Sequence, residues 1–156
     1  MKKLILLAMC LFTMSFAFSQ SHIKFMGVEV NGQVSTVEQR LTTKGFSKTK
    51  DDMYKGKFSG YDVKLKLQKT VKSKTVYAVT IQFGADMTKE DMIEMANSLK
   101  EKYSEGVPFE NTEDDAYQTG IELQEGTILL DFNQKTLSYM DKVNMQKNKK
   151  ESKEDL

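Results

Sequence analysis

Two spacings of apolar residues alternate along this chain. Val63, Leu65 and Leu67 are separated by Asp62, Lys64, Lys66 and Gln68, and Tyr77, Val79, Ile81 and Phe83 repeat the period of two. Ile128, Leu130 and Phe132 follow a Glu125-Gly126 turn, and Leu137 and Tyr139 follow Asn133-Gln134. Such alternation is that of antiparallel strands with one buried and one wet face. Elsewhere the spacing is helical. Ser35-Thr36-Val37-Glu38 reads as a capping box, Val37 and Leu41 share a face, and Gly45 supplies a left-handed stop. Thr88-Lys89-Glu90-Asp91 opens a second helix, flanked by Met87 and Met92 at staple positions. Met92, Ala96, Leu99 and Tyr103 continue it until Gly106 and Pro108.

The order is strand, helix, three strands, helix, three strands. An echo reinforces it: "DDMYKGKF" from Asp51 and "DDAYQTGI" from Asp114 each follow a helix and precede a hairpin. The pattern predicts an α+β fold, an antiparallel sheet with two helices packed on one face, built as two α-β-β-β repeats. The stretch "KFMGVEVNGQ" at residues 24–33 opens it. Its apolar phase switches beside Gly27, which predicts a β-bulge or break, and Asn31-Gly32 predicts the turn into the first helix.

The ends delimit the domain. Lys2 and Lys3 precede an apolar run at residues 4–18, and Ala17-Phe18-Ser19 supplies small residues around a cleavage point before Gln20. Residues 1–19 thus read as a secretory signal, which places the protein in the periplasm or outside the cell. Cys10 invites a lipoprotein reading, the weaker one because the apolar run continues past it. Cleavage removes the only cysteine, and with it any disulfide, thiol nucleophile or thiolate metal site. Residues 20–143 form one α+β domain with no membrane-spanning segment, and residues 144–156 read as a charged, disordered tail.

The phrase "HIKFMGVEVNG", with a short helix ending "KGF", resembles a group of small secreted bacterial proteins of unknown function. That resemblance covers residues 21–46 and implies no activity. The helix-plus-strands repeat also resembles the β-lactamase-inhibitor-protein-like and PepSY-like folds, in architecture alone.

Candidate chemistry is sparse. No phosphate-cradling glycine loop, G-x-S-x-G elbow or H-E-x-x-H occurs, and no cofactor is expected. A single histidine, His22, excludes a multi-histidine zinc site within one chain and reads as structural or solvated. The acidic run "ENTEDD" offers Glu110, Glu113, Asp114 and Asp115 to a hard cation, or one carboxylate to a glycosidase. It lacks the ligand spacing and central glycine of a calcium loop, so a solvated loop is the simpler reading, and no metal is expected. The methionines serve as adaptable core filling.

Charge is the most unusual feature. Residues 44–74 carry ten Lys and three Asp, giving +7, whereas residues 84–131 carry three Lys and thirteen acids, giving −10. Lys55, Lys57, Lys64 and Lys66 fall on the outward phase of their strands and predict a basic stripe. Solubility and protection against edge pairing are the simpler explanation of such a stripe. As a site, it fits a cell-envelope protein or an anionic glycan. Nucleic acid is disfavoured, since no nucleic-acid module is present. The expectation is a non-catalytic binding module. Its rivals are a carboxylate-based glycan hydrolase and a self-associating structural envelope protein.

Overall fold

A computed structural model describes residues 21–111 and 117–154. Residues 1–19, expected to be a signal segment, lie outside the described residues, and Cys10 with them. The described chain opens with β1 (Lys24–Phe25) and β2 (Val28–Glu29), then α1 (Val34–Thr43). β3 (Ser47–Lys48), β4 (Tyr54–Phe58), β5 (Tyr61–Lys69) and β6 (Val76–Phe83) follow. After α2 (Lys89–Lys102) come β7 (Val107–Asn111), β8 (Gln118–Glu122), β9 (Gly126–Asp131) and β10 (Thr136–Asp141), and α3 (Lys142–Lys153) ends the series.

The fold is α+β, with an antiparallel sheet of eight strands in the order β3-β4-β5-β6-β10-β9-β8-β7. Each half is a helix followed by a four-stranded meander. The halves join where their last strands meet, Ile81 opposite Leu137 and Val79 opposite Tyr139. The expected repeat of three strands therefore gains a fourth in each half. β3 has two residues, and β7 carries Pro108 and is exposed throughout, so neither shows a period. The first Asp-Asp-x-Tyr echo runs into β4 at Tyr54 and the second ends at Tyr117, one residue before β8, and β4 and β8 hold equivalent places.

One core holds the layers together. Val63, Leu65, Ile81, Phe83, Leu137, Tyr139, Ile128 and Leu130 present the inward phase of the sheet. Val37 and Leu41 of α1 and Met92, Ala96 and Leu99 of α2 enter the same cluster. The β1–β2 hairpin sits among them. Its turn is Met26-Gly27 with φ of 50° and 79°, a two-residue reversal with both residues left-handed. The phase switch at Gly27 is thus a hairpin turn and not a bulge. Phe25 is fully buried, with ring centroids 6.0 Å from Phe46, 5.5 Å from Phe58 and 5.4 Å from Tyr139.

Helix ends follow their caps. Thr88 Oγ1 accepts the Asp91 N–H at 3.1 Å, and Asp91 Oδ2 accepts the Thr88 N–H at 3.0 Å, a reciprocal box. α1 differs from expectation. It starts at Val34 with Gln33 as an N-cap whose side chain makes no capping bond, and Glu38 bonds Tyr54 and Lys48 rather than reaching back to Ser35.

The expected disordered tail from residue 144 is, through Lys153, the helix α3. Asp141, fully buried, caps it by accepting the Asn144 N–H at 2.9 Å, and its other oxygen lies 2.8 Å from His22 Nδ1. Farther along, Glu151 Oε2 accepts the backbone N–H groups of Lys72 (2.7 Å) and Ser73 (3.1 Å), and Oε1 accepts the Ser73 hydroxyl at 2.6 Å. The Ser73 hydroxyl bond, then those backbone bonds, holds the Glu151 carboxyl at about 2, well below an ordinary carboxylate. Composition alone reads this segment as solvated, yet its inward contacts are polar and specific.

Candidate functional site on the open sheet face

The β4–β5 hairpin sets the site. Ser59 and Gly60, with φ of 51° and 89°, make a tight turn that fixes Lys55 opposite Lys64 and Lys57 opposite Asp62. Tyr54, Gly56 and Phe58 thereby face the core, and the lysines face outward. Gly56 is required by packing, since a Cβ there would lie 2.6 Å from the buried Phe46 ring. Phe46 rests on the inner side of the hairpin and supports the strand that carries Lys55 and Lys57.

Lys55, Lys57 and Lys64 come together around an open concavity of about 810 Å³. Lys44, just past α1, and Gln82, on the outward phase of β6, join them. Lys66 lies one outward step along β5, exposed like the others but outside the concavity. The only acid on the lining is Asp62, 3.8 Å from Lys57, in a pair so exposed that it contributes little. Among the described residues no carboxylate lies within ion-pair distance of Lys44, Lys55, Lys64 or Lys66. Lys55 and Lys64 stand directly opposite each other, an arrangement of like charges that weakens a sheet.

The outward phase changes character toward the centre of the sheet. Lys64 is followed across the strands by Gln82 and Thr136, and Lys66 by Thr80 and Ser138. Gln68 Nε2 donates to Thr80 Oγ1 at 3.0 Å, and the Thr80 and Ser138 hydroxyls are 3.0 Å apart. Hydroxyls and amides thus flank the lysines. Lys44 and Gln82 were missed by sequence reasoning; the alternation of β6 marks Gln82 as outward, but nothing linear brings Lys44 to the rim.

A second polar cluster lies on the helix side. Glu38 Oε1 accepts from Lys48 Nζ at 2.7 Å and from the Tyr54 hydroxyl. The Lys48 bond, then the Tyr54 bond, lowers the Glu38 pKa, while burial and then Glu38 itself raise that of Tyr54. A carboxylate held ionised in this way is a poor general acid.

The acidic run is described only in part. Glu110, on β7, accepts from Lys100 Nζ at 3.1 Å on an exposed surface. Glu113, Asp114 and Asp115 lie outside the described residues. Among the described residues no three His, Cys, Asp or Glu side chains come together as a metal site, and no helix is long and apolar enough to cross a membrane. His22, read from the sequence as structural or solvated, is half-buried against Asp141.

Fold and face together define an α+β protein with one helix-covered sheet face and one open, lysine-bearing face. No family model, no curated protein and no solved structure matches the chain.

Proposed function

We propose that the protein is a secreted or periplasmic binding module without catalytic activity, which takes an anionic partner on the open face of β4, β5 and β6. One observation carries this reading: four lysines surround a concavity of about 810 Å³ whose lining holds a single acid. Two of them, Lys55 and Lys64, are paired against each other at a cost in sheet stability, with no internal counterion among the described residues. A merely soluble surface would intersperse the two signs. The charged start and apolar run of residues 2–18 support export.

The test uses two variants of equal net charge. Lys55→Glu, Lys57→Glu, Lys64→Glu and Lys66→Glu reverse the face. Lys142→Glu, Lys149→Glu, Lys150→Glu and Lys153→Glu reverse the exposed side of α3. On an immobilised polyanion at low salt, the face variant should lose roughly 10–10³-fold in retention constant and the α3 variant should stay near the native protein. Equal losses in both would reduce the stripe to a solubility device.

A further inference from the structure

The open face also says which class of anion it fits, and this step rests on the binding reading above. We infer that the ligand is a linear acidic polysaccharide laid along β4 and β5. Its carboxylate or sulfate groups meet Lys55, Lys57, Lys64 and Lys66. Its hydroxyls meet the neighbouring Thr80, Gln82 and Ser138.

The lysines form a line and not a cluster. Lys57, the Lys55–Lys64 pair and Lys66 occupy three successive outward steps along the strands. Two residues of strand advance about 6.5–7 Å, so the line spans about 13 Å. A polymer with an acid on each sugar or on alternate sugars presents charges in such a row. Beside the row, Thr80, Ser138 and the Gln82 side-chain carbonyl offer neutral hydrogen-bonding groups on strands already in register with the lysines, while Gln82 Nε2 donates to the Gln134 carbonyl at 2.7 Å. A ligand with both charges and many hydroxyls uses both strips. A bare anion uses only the first.

Three other occupants fit less well. Folded proteins bind through buried aromatic, Met and Arg anchors, and their interfaces are poor in Lys. Here the lining has neither Arg nor an outward apolar side chain, because Val63 and Phe83 belong to the inward, buried phase. Extended peptides bind at sheet edges through main-chain bonds. These lysines stand on a face, and the edge beside them, β3, is two residues long. A flat bilayer cannot follow a concave surface. The exposed large apolar residues Met26, Val71, Ile93, Val107, Phe109 and Tyr117 all lie off the concavity.

Titration calorimetry at low salt distinguishes these. The probes are polygalacturonate, heparin, poly-L-glutamate and vesicles of phosphatidylglycerol, each against the protein, its four-lysine reversal, and the pair Thr80→Val with Ser138→Ala. Binding of either polysaccharide, abolished by the reversal and weakened several-fold by the hydroxyl pair, supports the inference. Polygalacturonate against heparin then separates carboxylate from sulfate. Poly-L-glutamate bound as tightly per charge as both polysaccharides, with the hydroxyl pair without effect, overturns the polysaccharide while leaving the anionic face standing. Preference for vesicles does the same. Failure of every probe overturns the anionic face and the polysaccharide together.

Discussion

The two halves of the sheet solve one packing problem and diverge on everything packing does not constrain. β4 and β8, like β5 and β9, hold equivalent places beside the central β6–β10 pair. On the inward phase, Val63 and Leu65 of the first half correspond in kind to Ile128 and Leu130 of the second. On the outward phase the first half presents Lys55, Lys57, Lys64 and Lys66. The second presents Gln118, Gly120, Glu122, Thr127, Leu129 and Asp131, with no lysine among them. A fold requirement acts on both halves alike, so a feature confined to the outward phase of one half points to a partner.

The halves communicate through Phe25, which touches Phe46 and Phe58 on one side and Tyr139 on the other. Phe25→Ala should produce the largest effect, a loss of about 3–5 kcal/mol in urea unfolding, since it leaves a cavity at the junction of both halves. A loss below ~1 kcal/mol would show that the hairpin is peripheral. Gly56→Ala should cost about 1–3 kcal/mol, because the Phe46 ring has nowhere to move. Thermal melts beside the polyanion assay would show whether that damage spreads to the lysine face.

Next in size is a pH effect confined to the first half, whose β5–β6 turn is clamped by α3. The Glu151 carboxyl is lowered from 4.5 to about 2 in the folded protein. Its contribution is therefore complete above about pH 4.5 and is lost as pH falls from there toward 2. Amide protection at Lys72 and Ser73, taken relative to the intrinsic exchange rate at each pH, should fall through that window, and Glu151→Gln should flatten the response. An unchanged profile in Glu151→Gln would assign the acid sensitivity elsewhere. The smallest effect has the opposite sign. Lys55→Thr removes a like-charge pair, keeps a strand-forming side chain, and should stabilise the fold by about 0.2–1 kcal/mol while weakening polyanion binding.

Much of this was legible before any coordinates. The alternation in residues 62–68 and 77–83 assigned both the buried phase and the lysine phase, and Thr88 to Asp91 gave the cap of α2. What escaped has physical causes. β3 is too short to show a period, and β7 is an exposed edge with a proline. α3 buries Asn144 and Glu151, so no apolar stripe announces it. The Ser35 box yielded to Glu38 bonding with Tyr54 across 16 residues, a tertiary competition that local propensity does not encode. At the site, outward phase was readable, but the concavity and Lys44 at its rim depend on how α1 and the sheet meet.

The most direct test of an anionic site confined to one half is amide chemical-shift mapping during titration with a heparin oligosaccharide at low salt. Perturbations should centre on Lys55, Lys57, Lys64, Lys66 and Gln82, fade across β10, and leave β7, β8 and β9 unchanged. Shifts spread evenly over all exposed lysines, or centred on the second half, would contradict it.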